Sequence, residues 1–397
     1  MNYNAIKSLK LSRKLIKLVG LVLIMSINAS LLNIESASAD FEDGIILNLS
    51  LDDLIHDLEP NAEPIEIDGN SDTMNWNDCE NIKGLGIPGI PYRVKNLIFD
   101  GNEEGSCIKI TNSKAYVIIE NCVFINAKAS NQEKDAGICI SYSKNIKIRN
   151  CEFYNNIAGV TVKSSQKISV LDSIFSFNEE SGIFMPGSER CTIKGNSIYN
   201  TKRIGFGNGI MLRSSYDNRI INNTIQNNLN RGIFLSTSSD NEIQYNFVCN
   251  NTDIGIHVRT GVNNSFKFNT LMKNKIGLVL EYSKSRDNVV SQNILCDNHI
   301  CEAQDIAEGE NQWDDGKFGN YWGNYEIIYP NAQILDGFWD TKYVLPATKS
   351  NECDNHPLGE KPIIKYTNFR PINYFYISLG VFACGGVVFL IIRKKKN

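Results

Sequence analysis

The sequence is poor in the residues that metal and cofactor sites need. Only four histidines occur among 397 residues, and no two of the eleven cysteines stand in a CxxC pair. The histidines are also far apart in the chain: His56, His257, His299 and His356. Zinc sites of the common kinds need closely spaced Cys or His pairs. We therefore expect no metal and no cofactor.

An excess of positive charge is missing as well. Lys and Arg number 40 against 44 Asp and Glu, which leaves a net charge of -4. Electrostatic binding of nucleic acid needs a basic surface, so we expect no nucleic-acid partner. The cysteine count favours an oxidising compartment.

Long apolar runs are confined to the two ends of the chain. Residues 1–39 are predicted to be a signal peptide, because the apolar run Leu18–Met25 follows basic residues and precedes a small-residue cleavage site. Residues 372–392 are predicted to be a transmembrane helix, followed by a basic cytoplasmic tail at 393–397. An N-terminal anchor and a buried core helix are the respective alternatives. The prediction is a single-pass protein of the cell membrane whose remaining residues lie outside the cell.

Between the ends, glycine and asparagine recur at a nearly fixed interval of 22–27 residues. The glycines are Gly159, Gly182, Gly209, Gly232, Gly255 and Gly277, and the asparagines are Asn196, Asn223, Asn246, Asn269 and Asn293. Apolar residues after each glycine alternate with period two, as expected of strands. A period of this size indicates a stacked repeat, so we predict an all-β solenoid, a parallel β-helix with three short strands per coil. An antiparallel sandwich with Asn-rich turns does not explain the spacing.

Stacked coils bring equivalent residues together, so the recurring asparagines of adjacent coils can bond to one another. We expect Asn246 to lie between Asn223 and Asn269 in a ladder of amide hydrogen bonds, at a corner whose left-handed backbone asparagine tolerates. Asn150 and Asp172 are predicted to extend this ladder. A second column is predicted five residues later, at Asn126, Asn155, Asn228, Asn251, Asn274 and Asn298. The glycines mark a corner with either positive φ or a crowded backbone.

The end of the array carries a more specific pattern. Asn311–Gly316 reads NQWDDG, Gly319–Tyr325 reads GNYWGNY, and Asp354–Leu358 reads DNHPL. These segments resemble the closing motif of the NosD-like, carbohydrate-binding and sugar-hydrolase (CASH) β-helix proteins, which are common on archaeal cell surfaces. The resemblance covers roughly residues 65–358 and implies a right-handed, single-stranded winding. The sequence departs from the family motif at two places. Asn324 stands where the family usually has Asp, and the loop Asn331–Phe338 replaces the family's run of Asp and Gly residues. We therefore do not expect this loop to bind a metal ion.

The large aromatic residues of this motif are suited to close the open apolar end of a solenoid, where unpaired strand edges would invite another molecule. We predict this capping role for Trp313, Tyr321, Trp322 and Tyr325, and we expect the adjacent Asp314 and Asp315 to hold backbone. The predicted organisation is then a leader at 40–63, the capped β-helix at 64–345 and a juxtamembrane stalk at 346–371. The longest coil should carry its extra residues, Lys202–Phe206, in a lateral loop. Cys122 with Cys151, and Cys107 with Cys139, are predicted to be neighbouring equivalents that form either disulfides or thiol stacks.

One face of the predicted helix offers a candidate binding surface. The residues two after each glycine are Thr161, Phe184, Met211, Phe234, His257 and Val279, and beside them run Lys163, Pro186, Arg213, Ser236, Arg259 and Glu281. We call these two columns the strip. We expect the strip to face outward, to contribute little to the core and to bind carbohydrate through Lys163, Phe184, Arg213, Phe234, His257 and Arg259.

Three functions follow from this surface. The first is a polysaccharide- or surface-glycan-binding, structural or adhesion protein. The second is a lyase or epimerase acting on acidic glycans, with a basic residue of the strip as proton acceptor, although no catalytic residue is assigned; hydrolysis is disfavoured, because the strip offers a single carboxylate, Glu281. The third is an accessory role in copper maturation, which the family resemblance implies. Met211, Met272, Cys249 and Cys296 form no compact set in the sequence, which disfavours it.

Overall fold

The computed structural model describes residues 58–79, 82–128, 135–307, 310–346 and 352–364. The predicted signal peptide, transmembrane helix and cytoplasmic tail, with most of the leader and part of the stalk, lie outside these residues. Among the helices of the described part, none has the length and apolar character needed to cross a bilayer.

The described chain winds through about nine coils. Each coil contributes one strand to each of three parallel sheets. Sheet 1 contains β1 (Ile65–Asp68), β4 (Ile108–Thr111), β7 (Ala136–Ser141), β10 (Ala158–Lys163), β13 (Ser181–Pro186), β16 (Asn208–Arg213), β19 (Ile233–Ser236), β22 (Ile254–Arg259), β25 (Ile276–Glu281) and β28 (Cys301–Ile306). Sheet 2 contains β2 (Tyr92–Lys95), β5 (Val117–Glu120), β8 (Ile146–Arg149), β11 (Ser169–Leu171), β14 (Thr192–Lys194), β17 (Arg219–Ile221), β20 (Glu242–Gln244), β23 (Ser265–Lys267) and β26 (Val289–Ser291). Sheet 3 contains β3 (Ile98–Asp100), β6 (Val123–Ile125), β9 (Glu152–Tyr154), β12 (Ile174–Ser176), β15 (Ser197–Tyr199), β18 (Thr224–Gln226), β21 (Phe247–Cys249), β24 (Thr270–Met272), β27 (Ile294–Cys296) and β29 (Tyr321–Trp322). The predicted all-β parallel solenoid is confirmed.

The remaining elements lie at the two ends. A short 3-10 helix (Trp76–Asp78) precedes the first complete coil. After the last coil come α1 (Tyr325–Ile328) and two small antiparallel pairs, β30 (Ile334–Leu335) with β31 (Phe338–Trp339) and β32 (Tyr343–Val344) with β33 (Cys353–Asp354).

The core is made of inward side chains that stack on their own equivalents. Strand residues alternate between the two faces of a sheet, so the inward apolar positions of each strand recur in successive coils. On sheet 3 the rings of Phe99, Phe124, Phe153 and Phe175 stack with centroid separations of 5.2, 4.9 and 4.5 Å. These rings belong to one continuous cluster that runs to the closing aromatics.

The glycine column marks a crowded backbone, which was one of its two predicted meanings. None of these glycines has a positive φ. A Cβ atom on Gly232 would meet Cγ1 of Val248 at 2.4 Å and the carbonyl oxygen of Gly255 at 2.7 Å. The next coil therefore passes too close for a side chain at this position.

The asparagine ladder is confirmed. The backbone N–H and Nδ2 of Asn223 both donate to Oδ1 of Asn246 at 3.0 Å, and Asn246 donates in the same way to Asn269 at 2.9 and 3.0 Å. Nδ2 of Asn246 also donates to the carbonyls of Ile220 and Gln244. The Asn246 side chain thus satisfies backbone groups of the preceding coil and of its own coil, and it donates to the asparagine side chain of the next coil. The ladder ends at Asn320, in the closing motif.

The prediction of left-handed backbone at the ladder asparagines is wrong. The left-handed residue is the one that precedes the ladder position. Asn150 and Asp172 have φ of 50° and 47°, whereas the ladder is continued by their successors Cys151 and Ser173. The predicted second column likewise mixes two positions. Asn126 and Asn155 have φ of 54° and 55°, and the buried ladder beside them consists of Asn156 with Asn178 and of Asn228, Asn251, Asn274 and Asn298. The spacing is the same for adjacent residues, so periodicity alone could not separate the two roles.

Two further ladders were missed. Serine hydroxyls accept the backbone N–H of the preceding coil from Ser113 through Ser143, Ser165, Ser188 and Ser215 to Ser238. A third asparagine ladder runs through Asn218, Asn241, Asn264, Asn288 and Asn311. Both series have the spacing of the repeat, so the signal was present in the sequence.

The closing motif covers the end of the core. Trp313, Trp322 and Tyr325 are buried within the main apolar cluster, as predicted, whereas Tyr321 is half-buried. Asp314 accepts hydrogen bonds from the backbone N–H groups of Gly316 and Asn355, which confirms its backbone-holding role.

The cysteine predictions divide. Val123 pairs with Glu152, so the preceding Cys122 and Cys151 are neighbouring equivalents, as predicted, and both are free thiols. Cys139, by contrast, pairs with Lys109, two residues after Cys107. The second predicted pair is therefore wrong, because its two members differ in register by two residues.

Candidate functional site

The strip lies on sheet 1, and its register is as predicted. Phe184 pairs with Met211, Met211 with Phe234, and Phe234 with His257. The expectation that this column is exposed is wrong: its six residues are between 3% and 8% exposed. Phe184, Met211 and Phe234 form an apolar cluster of their own, separate from the main core. Wide side chains in adjacent coils cover one another, and cationic side chains lie over the rings.

Arginines are placed over aromatic rings along this face. The guanidinium of Arg213 lies 5.7 Å from the ring centroid of Phe184, and that of Arg259 lies 4.9 Å from that of Tyr282. Arg259 also donates to the Tyr282 hydroxyl at 3.1 Å. Both arginines are exposed, as is Tyr282, while Lys163 is half-buried at the start of the same column.

Arg231 was missed by the sequence reasoning. It immediately precedes Gly232, outside the positions that were read as the strip, yet its guanidinium lies 4.5 Å from the ring centroid of Phe234. Its Nε atom is buried and has no hydrogen-bond partner within the described part of the chain. Burial is the main influence on the pKa of Arg231 and lowers it, with opposing effects of Asp253 and Glu281.

His257 also packs against the Phe234 ring. The imidazole stacks on Phe234 with centroids 5.1 Å apart, and its Nε2 lies 2.8 Å from Oε2 of Glu281. A neutral imidazole that donates from Nε2 leaves Nδ1 as an acceptor, and none of the described residues bonds to this buried Nδ1. Burial, followed by the charge of Arg231, lowers the pKa of His257 to about 3, so the ring is neutral at physiological pH.

The structure thus brings together part of the predicted site. Phe234, His257 and Arg259 lie in adjacent coils with Arg231 and Glu281. Arg213 pairs with Ser236, which pairs with Arg259, so the two arginines are two coils, or ~9.6 Å, apart. Lys163 and Phe184 lie further along the strip, in earlier coils. The strip therefore contains a row of aromatic side chains, with Arg213 and Arg259 two coils apart beside it.

The sulfur-containing residues that were considered as copper ligands are placed differently from what their sequence separation suggests. Cys249, Met272 and Cys296 occupy adjacent rungs of sheet 3, whereas Met211 lies on sheet 1. Three of the four sulfur residues therefore form a column that their sequence separation conceals. Burial raises the pKa of Cys249 to about 12 and that of Cys296 to about 11. Within the described ranges, no cluster of three or more His, Cys, Asp or Glu is arranged to hold a metal ion.

Comparison with protein families gives one match. The family described as "Right handed beta helix region" matches residues 65–207 and 136–295, which together span more than half of the chain. Among curated proteins, no match was found.

Solved structures with the same kind of fold are distant in sequence. A mutant of the periplasmic alginate epimerase AlgG is 18% identical, with a TM-score of 0.41 over 54% of this chain and 64% of that one. PfbA, a surface adhesin of Streptococcus pneumoniae, is 13% identical, with a TM-score of 0.39 over 54% and 71%. Pectate lyase Pel9A is 11% identical, with a TM-score of 0.37 over 60% and 76%. This chain spans less than two thirds of the length of the AlgG structure, and these similarities extend to the fold alone.

Proposed function

The chain belongs to the right-handed β-helix family, and we propose that it is a cell-surface protein that binds an acidic polysaccharide across the strip. The observation that carries the proposal is the pair of unpartnered polar atoms around Phe234. Arg231 Nε is a buried donor and His257 Nδ1 is a buried acceptor, and neither has a partner among the residues that the structure describes. Buried polar groups without partners are disfavoured by about 1–3 kcal/mol each, and a ligand bearing both acceptors and donors relieves this.

The chemistry of the site fits an anionic sugar polymer. Arg guanidinium groups bind carboxylates through paired hydrogen bonds, and Arg231 and Arg259 offer such groups in neighbouring coils. The sugar hydroxyls supply the donor that His257 Nδ1 lacks. The separation of Arg213 and Arg259, ~9.6 Å along the sheet, favours a polymer with repeated charges over a small molecule.

The test is binding of the full-length chain to polygalacturonate and alginate, with neutral dextran as control, by affinity electrophoresis. We expect retardation by the acidic polymers only, weakened by added salt. Arg231→Gln and Arg259→Gln should each weaken binding by roughly tenfold. Arg219→Gln is the matched control, because Arg219 is an exposed arginine on sheet 2 that pairs with Glu242. An unretarded wild-type chain, or equal retardation of all three variants, would contradict the proposal.

A second candidate, a polysaccharide lyase or epimerase, is favoured by one observation. His257, whose buried Nδ1 has no partner among the described residues, belongs to the strip where a uronate would bind, and both reactions begin by removing the proton on the carbon beside the carboxylate. A pKa of about 3 makes this imidazole a weak base, whereas efficient general bases have pKa values near the working pH. Binding without turnover is therefore the first proposal. Ultraviolet detection of unsaturated uronates and NMR of the recovered polymer in the same mixtures distinguish the two.

The cellular location is part of the proposal. We propose that residues 1–39 are removed on export and that residues 372–392 anchor the chain, which places the β-helix outside the cell. A tag after Asn397 should then be protected from protease in intact cells, and the mature N-terminus should be Asp40. Recovery of Met1 in the mature protein would contradict the signal peptide. The narrower kinship with NosD-like surface proteins is supported by the closing motif, whose Asn311 and Asn320 end two of the ladders.

A further inference from the structure

The lateral loop Lys202–Phe206 presents apolar side chains to solvent beside the strip. Ile204 is 84% and Phe206 59% exposed. The loop is nevertheless firmly held, since Lys202 and Arg203 donate their backbone N–H groups to the carbonyls of Asn178 and Glu179 at 2.9 and 2.8 Å. A mobile loop could turn such side chains inward, but a hydrogen-bonded one keeps them exposed. Exposed apolar groups fixed in place are typical of contact surfaces.

The position of the loop links it to the proposed site. Phe206 lies two residues before Asn208, the first residue of β16, so the loop stands at the edge where strands of sheet 1 begin. Nδ2 of Asn230 donates to the carbonyl oxygen of Gly205 at 2.8 Å. Asn230 directly precedes Arg231, so the loop lies against the segment that presents the Arg231 guanidinium. Loop and arginine thus share one edge of the strip.

We propose that the 202–206 loop is a side wall of the polysaccharide site, where Phe206 and Ile204 pack on the apolar face of a sugar ring whose carboxylate is bound by Arg231. This inference rests on the proposed function and deepens it: it names a pyranose uronate as the unit recognised. The guanidinium of Arg203 lies 4.9 Å from the ring centroid of Phe206 and pairs with Glu180, which orients the ring. An aromatic ring beside a cation is suited to a ligand that combines an apolar face with an anionic group.

The experiment compares loop and arginine variants of the full-length chain on oligogalacturonates by calorimetry. Phe206→Ser should raise Kd roughly tenfold without changing the dependence of Kd on salt, because an apolar contact is removed. Phe206→Tyr should retain wild-type affinity. Arg231→Gln should raise Kd and also weaken the salt dependence. Leu85→Ser is the matched control, since Leu85 is equally exposed at 62% but lies before the first complete coil.

The outcomes separate the two levels of the proposal. Loss of binding in Arg231→Gln with unchanged binding in Phe206→Ser would overturn the side wall and leave the proposed function intact. Absence of binding by the wild-type chain would overturn both. A Phe206→Ser chain that binds weakly but melts at the wild-type temperature supports the side wall, because a merely structural role would lower stability as well.

Discussion

Single side chains in this protein are determined by the coil above and the coil below. Asn246 is fully buried and is hydrogen-bonded to Asn223, Asn269 and two backbone carbonyls. Its role is therefore not replaceable by an apolar residue of similar size, although its surroundings are among the most buried of the molecule.

The first prediction concerns this ladder. Asn246→Leu removes the acceptor of two Asn223 donors, each a buried group whose loss of a partner costs about 1–3 kcal/mol. We expect a lower free energy of unfolding and faster amide exchange in the coils that contain Asn223 and Asn269. Gln244→Leu is the control, because it makes the same change two residues earlier on a half-buried outer position, and should cost at most about 0.5 kcal/mol. Equal exchange in the two variants would contradict the ladder's energetic role.

The second prediction concerns His257. Its folded pKa, about 3, lies below the unfolded value of 6.5. Between these values the unfolded chain binds a proton that the folded chain does not, so the stability that His257 contributes above pH 6.5 is lost as the pH falls toward 3. Replacement by Gln removes this loss. We expect the stability of the wild type relative to His257→Gln to decrease between pH 7 and pH 4 in denaturant titrations.

For an exposed residue, as the strip was predicted to supply, His257→Gln would change the free energy of unfolding by no more than ~0.5 kcal/mol. Because the side chain is buried and bonded to Glu281, we now expect a larger loss at neutral pH. A difference between wild type and variant that is constant across this pH range would show that His257 titrates normally in the folded state.

At the scale of the strand and coil, the distance between adjacent coils determines which side chains can be accommodated. The glycine of the repeat, near the start of strands β10 to β25 of sheet 1, lets the next coil approach closely, and the residue two positions after it is covered in turn by its neighbours. An alternating pattern was therefore a reliable guide to the inward face and a poor guide to exposure on the outward one.

The third prediction tests this close approach. Gly232→Ala places a Cβ at 2.4 Å from Val248 and 2.7 Å from the next coil's backbone, and overpacking of this kind costs about 1–3 kcal/mol. Gly105→Ala is the control, because nothing lies within 4 Å of its Cβ and its φ is not positive; it should be neutral or slightly stabilising. Thermal unfolding of both variants measures the difference, and a Gly232→Ala melt equal to wild type would mean that adjacent coils separate without penalty.

The sequence predicted the repeat better than the site for a physical reason. Every coil repeats the same backbone contacts, so Gly, Asn and inward apolar residues recur and are visible by period. The site depends on side chains that occur once. Arg231 precedes a repeat position instead of occupying one, and the sulfur column of Cys249, Met272 and Cys296 contains two residue types, so neither is seen by counting intervals.

At the scale of the whole molecule, a solenoid is a stack of nearest-neighbour contacts whose last coil needs a cover. Here the cover is assembled from distant segments. β33 brings Asp354, which is fully buried, to the end of the stack, where its carboxylate accepts hydrogen bonds from the backbone N–H of Asn320 at 2.6 Å and from Nε1 of Trp322 at 2.9 Å. Asn320 is the last rung of the first asparagine ladder, so one carboxylate joins the cover to the repeat.

The last prediction is that this junction weakens as the pH rises. Burial raises the pKa of Asp354 from 3.8 to about 7. Between these values the folded chain binds a proton that the unfolded chain has released, so the free energy of unfolding falls with increasing pH. Burial raises the pKa of Asp305, beside Trp313, to about 6 in the same sense, and the effect of His257 has the opposite sign. Comparison with Asp354→Asn isolates the one group.

We expect the wild type to lose at least about 1 kcal/mol of stability relative to Asp354→Asn between pH 5 and pH 8, since each unit of pKa shift corresponds to about 1.4 kcal/mol. A loosened cover also uncovers the strand edges of the last coil, which are templates for association. Sedimentation velocity should therefore detect more self-association of the wild type at pH 8 than at pH 5, and less change in the variant. If stability and association of the two chains follow the same pH profile, the Asp354 carboxylate is ionised throughout, and the cover is held by its aromatic contacts instead of by this junction.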